Sequence, residues 1–172
     1  MFDLTHTIAA PLFENTEYPW QVLPGIRDFI RAAGPAPPAE LYEQTAPEVW
    51  IAKDAEVAPS ACIAGPCIVG PGAQIRHCAF VRGSAVIGAG AVVGNSTELK
   101  NCILFDGVQV PHFNYVGDSV LGYKAHFGAG VITANVRGDR APVTVRDGAD
   151  AVATGLKKFG AMVGDLAEIG CN

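Results

Sequence analysis

The chain has 172 residues, 49% hydrophobic and 17% charged, which suits one globular unit with its own core. A net charge of −5 gives no cationic footprint for nucleic acid, and no apolar run reaches the ~18 residues that a membrane span needs. Five cysteines, odd in number and without a Cys-x-x-Cys pair, read as small buried thiols in a reduced compartment rather than as a disulfide framework.

The N-terminus, "MFDLTHTIAAPLFENTEYPW", has neither a basic leader nor a long apolar core. It reads as no signal peptide, and a cytoplasmic location is expected. Residues 1–46 do not repeat. Within "YPWQVLPGIRDFIRAAG", Val22, Ile26, Phe29 and Ile30 are spaced for a helix, with Gly34 as its stop. This partly helical segment is expected to cap the open first coil of a repeat that begins at residue 47, because a solenoid needs its end covered.

From residue 47 a period of six takes over. Ile51, Val57, Ile63, Val69, Ile75, Val81, Ile87, Val93 and Leu99 are all aliphatic. Four places after each of the first eight stands a small residue: Ala55, Ala61, Cys67, Ala73, Ala79, Ala85, Ala91 and Thr97. Six is incompatible with a 3.6-residue turn and equals three strand periods. Three such strands close a triangular coil whose aliphatic residues stack inward and whose small residues fill corners. The expected fold is therefore all-β: a single-stranded left-handed parallel β-helix of hexapeptide repeats over residues 47–172.

The pattern goes on through Leu104, Val110 and Val116, then Leu121, Phe127 and Thr133, with two contractions on the way. It breaks at Asn135 and resumes at Val163 and Ile169. Residues 136–158 read as an inserted loop or β-arm, since "VTV" and "AVA" flank the turn pair Asp147-Gly148. The last residues, "EIGCN", stop in mid-coil. A neighbouring chain or further sequence is expected to cover them.

A lap of eighteen stacks Arg82 on Lys100. Each follows an inward aliphatic residue and so points outward, with Ala64 below and Gly117 above leaving an open shelf. Like charges stacked on a sheet repel. Either Glu98, on the same strand and face, neutralises them, or an anion completes the pair, and a phosphate suits a guanidinium fork beside an ammonium. His112 lies two residues past inward Val110, at the corner leading to that face. Tyr115 precedes inward Val116 and faces outward. Imidazole, whose reference pKa of about 6.5 suits proton transfer near neutral pH, makes His112 a candidate general base.

These residues resemble a known family, the C-terminal acetyltransferase domain of the bifunctional N-acetylglucosamine-1-phosphate uridyltransferase/glucosamine-1-phosphate acetyltransferases. The likeness rests on Arg82, Lys100 eighteen residues on, "HFNYVGD" from His112, "GAG" from Gly128 and "TAN" ending at Asn135. It covers residues 80–135 and returns near 157–172. The resemblance implies acetyl transfer from acetyl-CoA to the amine of an amino-sugar 1-phosphate, a step of nucleotide-sugar biosynthesis, with no metal required. It implies that His112 is the base, that Arg82, Lys100 and Tyr115 hold the phosphate, and that Asn135 and Lys158 contact substrate. Ala129 and Cys171 would face the cofactor. His126 stands where the family has a sugar-contacting Asn, Cys171 where it has a Ser, and Val136 where it has a Tyr. The family assembles as a homotrimer with sites between chains. No nucleotidyltransferase domain is legible in the chain.

Two rivals stand beside this reading. One is a non-catalytic sugar-phosphate or nucleotide-sugar binding or scaffold protein on the same β-helix. The other is a zinc enzyme using His77, His112 and His126, which requires three imidazoles to converge.

Overall fold

The computed structural model describes residues 1–133, 136–148 and 150–172. The repeat winds into a left-handed parallel β-helix with three faces. On the first face Val49 pairs with Cys67 and Cys67 with Ala85. On the second, Glu56 pairs with Gln74 and Gln74 with Val92. On the third, Cys62 pairs with Phe80 and Phe80 with Glu98. Each step is eighteen residues, as the sequence period requires.

Later laps lose one residue. Ile87 pairs with Leu104 and Leu104 with Leu121, steps of seventeen. The lost residue comes out of the corner between the third and first faces. There Asn101 and Asp118 take the left-handed conformation, at φ of 49° and 50°. Asn and Asp adopt it more readily than other side chains do. The tightened corner lets Glu98–Leu104 and Tyr115–Leu121 run as unbroken strands from one face onto the next.

Inward residues form the expected stack. Val69, Ile87, Leu104 and Leu121 are fully buried, as are Val81, Leu99 and Val116. The outward residues of the first face are just as buried: Ile68, Val86, Ile103 and Val120 have no exposed surface. The N-terminal segment covers them. It consists of three 3-10 turns (Leu4–His6, Ala10–Phe13, Pro19–Gly25) and one helix, α1 (Ile26–Ala33). Prolines at 11, 19 and 24 remove backbone donors and keep the first part from becoming one helix.

The expected cap at the open first coil is confined to the last part of the segment, Tyr42–Ala46. The part up to Gly34 lies lengthwise along the first face instead. Gly34 packs against Trp50 of the first lap, and Met1 accepts a backbone hydrogen bond from Asp165 of the last, at 3.1 Å. In between, His6 stacks on Tyr123 at 3.6 Å. The physical reason is the larger apolar area on offer: the outward row of the first face runs the length of the coil, whereas the open end is one lap wide. The edge of the first lap is covered by Tyr42–Ala46, which pairs antiparallel with Val49–Ala52.

The arm leaves the coil after Thr133 and returns at Met162, at the third–first corner. It carries an antiparallel hairpin, Thr144–Asp147 with Asp150–Ala153. Its base is anchored by buried Val143 and by Phe159, whose ring meets Trp20 edge-on at 5.8 Å. Among the described residues no helix is long and apolar enough to cross a membrane.

Candidate functional site

The third face carries the predicted column. Arg82 and Lys100 stack in register, since Val81 pairs with Leu99. Lys100 pairs in turn with Gly117. Tyr115 is on the same strand as Gly117, and its ring folds back over that glycine: a Cβ there would come 2.5 Å from Cε1 and 2.8 Å from the hydroxyl. Glycine at 117 therefore lets the phenol lie along the strand above Lys100. Arg82, Lys100 and the Tyr115 hydroxyl thus rise in one column.

Each cation already has a carboxylate. Arg82 Nη1 donates to Glu98 Oε1 at 2.7 Å, and this contact raises the guanidinium pKa. Glu98 therefore does neutralise Arg82, as the simpler of the two sequence readings had it. Lys100 Nζ lies 3.4 Å from Asp118 Oδ2, while Asn101 Nδ2 donates to the other oxygen at 2.9 Å. Asp118 was not expected. It enters because the tightened corner turns it toward Lys100. Burial raises the Tyr115 pKa and Glu98 raises it further, against a smaller opposing effect of Arg82. The phenol stays protonated and available as a donor.

His112 ends the second-face strand Gln109–His112 and is exposed. It and the Arg82–Lys100 column occupy opposite margins of the third face, with Tyr115 between. Four residues, Phe113 and Asn114 of the corner and two of the next strand, lie between His112 and Gly117, so five Cα steps span at most roughly 18 Å. The corner that holds His112 is fixed by Asn114, 2% exposed. Asn114 Oδ1 accepts from the His112 N–H at 3.1 Å, and its Nδ2 donates to the Gly128 carbonyl one lap up at 2.8 Å. Asn114 stands in the row of small corner residues, one lap above Thr97, whose hydroxyl accepts from the Asn114 N–H. A polar residue in a row of alanines is the signal that could have exposed it.

The remaining candidates are spread over the upper laps. Ala129 and Cys171 are in adjacent laps of the corner column that holds His112, and Asn172 N–H donates to the Ala129 carbonyl at 3.0 Å. His126 is on the second face, away from the cation column, with Nδ1 2.9 Å from Glu168 Oε2. Lys158 is exposed on the returning arm, two residues before Gly160, whose N–H donates to the Asp118 carbonyl at 2.9 Å. Asn135 lies outside the described residues. The three histidines of the zinc reading do not converge. His77 and His112 share a corner column two laps apart, with Asn95 between them, and His126 faces Glu168. Among the described residues no group of three or more His, Cys, Asp or Glu is placed to hold a metal ion.

The winding, inward stacking and corner geometry are those of the hexapeptide-repeat β-helix proteins. Residues 63–149, half of the chain, match the family model described as the GMPPB C-terminal domain, and the chain belongs to that family. The likeness to the sugar-phosphate acetyltransferase domains is also borne out among curated relatives. The chain is 39% identical over 92 residues to the Bifunctional protein GlmU of Methanococcus maripaludis, covering 54% of this chain and 22% of that protein. It is 38% identical over 80 residues to the Bifunctional sugar-1-phosphate nucleotidylyltransferase/acetyltransferase of Sulfurisphaera tokodaii, covering 46% of this chain and 20% of that protein. The matched stretch is thus about a fifth of each relative's length. Among solved structures, the acetyltransferase domain of PglB from Neisseria gonorrhoeae aligns with a TM-score of 0.38 at 20% identity, over 94% of this chain and 65% of that one.

Proposed function

We propose that the chain is an N-acetyltransferase that moves an acetyl group from acetyl-CoA to the amine of an amino-sugar 1-phosphate, acting as a cytoplasmic homotrimer. The relatives named as GlmU and as a sugar-1-phosphate nucleotidylyltransferase/acetyltransferase support this reading. The observation that carries it is the third face: a column of two cations and a phenol, with an imidazole at the far margin on a backbone that Asn114 holds in place.

The substrate ammonium must lose a proton before its nitrogen can attack. His112 takes that proton. The nitrogen then adds to the thioester carbonyl, and backbone N–H groups stabilise the oxyanion. As the tetrahedral intermediate collapses, the C–S bond breaks, CoA leaves as the thiol with a proton, and the amide remains. The phosphate sits against Arg82, Lys100 and the Tyr115 hydroxyl, displacing Glu98 from Arg82. A dianion with three acceptor oxygens outcompetes a monoanionic carboxylate for the guanidinium fork. Holding the phosphate aligns amine and thioester. Asn135 and Lys158 complete the sugar contacts, and Ala129 and Cys171 face the cofactor. In the trimer, His126 and Lys158 serve a neighbour's site.

The test is thiol release from acetyl-CoA with glucosamine 1-phosphate. His112→Ala abolishes it on this reading; near-wild-type turnover removes His112 as the base.

The binding or scaffold reading retains one observation in its favour: both cations are already charge-compensated by Glu98 and Asp118. Thermal stabilisation by sugar phosphates, with none by acetyl-CoA, would decide for binding over transfer.

A further inference from the structure

The N-terminal segment does more than cover the first face. Its helix α1 packs against the strands Ala85–Ile87 and Glu98–Leu104. The join leaves a cavity of about 330 Å³ at the third–first corner. One wall is Arg82, Ser84, Lys100 and Asn101; the other includes Arg27 and Asp28. Three cations therefore border one cavity, opposed by one carboxylate of its own, Asp28, which lies 3.9 Å from Arg31.

Arg27 differs from the other two cations. Arg82 is held by Glu98 and Lys100 by Asp118, but among the described residues no carboxylate is within ion-pair distance of Arg27. Ser84 adds a second observation. It is 6% exposed, and among the described residues its hydroxyl makes no hydrogen bond. No sealed side-chain polar atom among those residues lacks a partner, so this hydroxyl opens on accessible space, and the space it borders is the cavity. An uncompensated guanidinium opposite an unused, nearly buried hydroxyl is the donor set that an anion with several acceptor oxygens satisfies.

We infer that this cavity is the phosphate seat, closed on its outer side by Arg27, a binding residue contributed by a segment that precedes the family match at residues 63–149. The inference rests on the phosphate reading of Arg82 and Lys100 and extends it. The N-terminal segment supplies a third cation, and Ser84 a hydroxyl, to a phosphate monoester. A sugar without phosphate leaves all of them unused.

Calorimetric titration with glucosamine 1-phosphate, inorganic phosphate and unphosphorylated glucosamine tests it on the full chain. Arg27 is exposed on α1, so its truncation leaves the core intact. Arg27→Ala should weaken glucosamine 1-phosphate binding by roughly ten-fold, the scale of one charge-assisted hydrogen-bonding group, and Ser84→Ala by a few-fold. Arg27→Lys should recover part of the loss, and glucosamine should be indifferent to both changes. Wild-type affinity in Arg27→Ala, or a wild-type chain that binds neither phosphate probe, overturns the inference. Thiol release is read in parallel. Arg27-dependent phosphate binding without thiol release upholds the seat and removes acetyl transfer; thiol release with phosphate affinity unchanged by Arg27→Ala does the reverse.

Discussion

Arg82 donates to Glu98 at 2.7 Å from one lap below, so the guanidinium that should meet a phosphate is occupied by a carboxylate of its own chain. The two cations of the column are not equally available. The side chains of Lys100 and Asp118 are 27% and 15% exposed, and Asn101 braces the carboxylate; Arg82 and Glu98 are 45% and 32% exposed. Arg82 is thus the cation a ligand can recruit. Glu98→Gln should strengthen glucosamine 1-phosphate binding several-fold with little change in Tm, because exposed ion pairs contribute little to stability. Asp118→Asn should act oppositely, lowering Tm by leaving a half-buried ammonium without its counter-charge. Titration calorimetry and thermal unfolding of the two variants check this. Weaker binding in Glu98→Gln would mean that the carboxylate orients Arg82 rather than competing for it.

Gly117 leaves room for the Tyr115 ring. Gly117→Ala puts a methyl 2.5 Å from Cε1 and 2.8 Å from the hydroxyl. The obstacle is an outward side chain that can swing away, so the coil should persist and the phenol should leave the column. The expected result is a raised KM for sugar phosphate at nearly unchanged Tm. Gly94→Ala is the contrast. Its methyl would meet the Pro111 carbonyl and Cα, backbone that cannot yield. Overpacking of that kind costs about 1–3 kcal/mol or more, and Tm should drop sharply. Equal Tm losses in the two variants would show that the ring is as fixed as the backbone.

The lap was legible because it depends on side-chain period alone. Nine aliphatic residues six apart gave the faces, and the stacking of Arg82 on Lys100 came with them. The pairing of Lys100 with Asp118 was not legible, because it arises where a lap shortens to seventeen and a residue at φ 50° turns back toward the column. Arg27 was equally hidden: it reaches the cavity only through how α1 docks. The lengthwise course of the N-terminal segment did have a signal in the sequence. Outward positions of the second face include Glu56, Gln74 and Gln109, whereas those of the first are Trp50, Ile68, Val86, Ile103 and Val120. An outward apolar row with no polar alternation marks a face buried by something else.

That contrast is measurable. Ile103 and Gln109 both point outward, on different faces. Ile103 is fully buried under the N-terminal segment, and Gln109 is exposed. Ile103→Ala should cost about 2–5 kcal/mol, the range for a large residue truncated in a core. Gln109→Ala should stay within about 0.5 kcal/mol of wild type. Urea unfolding measures both. A small loss for Ile103→Ala would mean that the segment does not seal the first face in solution.

The cysteines offer a check on the coil interior that needs no ligand. Cys67 and Cys102 point inward on the first face, two laps apart, with Ala85 between them in the same row. Both are buried; Cys62, Cys78 and Cys171 are exposed. A colorimetric thiol reagent at mildly alkaline pH should therefore titrate three thiols in the native chain and five after unfolding. Burial pushes the Cys67 thiol up to about 12 and raises that of Cys102 as well. The unfolded thiol ionises near 9, so the folded state binds more protons above that pH. Stability from this source is whole below about pH 9 and is lost as pH rises toward the folded value near 12. Replacing both residues with Ala, which Ala85 shows the row accommodates, should flatten the fall of Tm between about pH 9 and 11 relative to wild type. Identical alkaline slopes, or rapid modification of all five native thiols, would place Cys67 and Cys102 outside the sealed core.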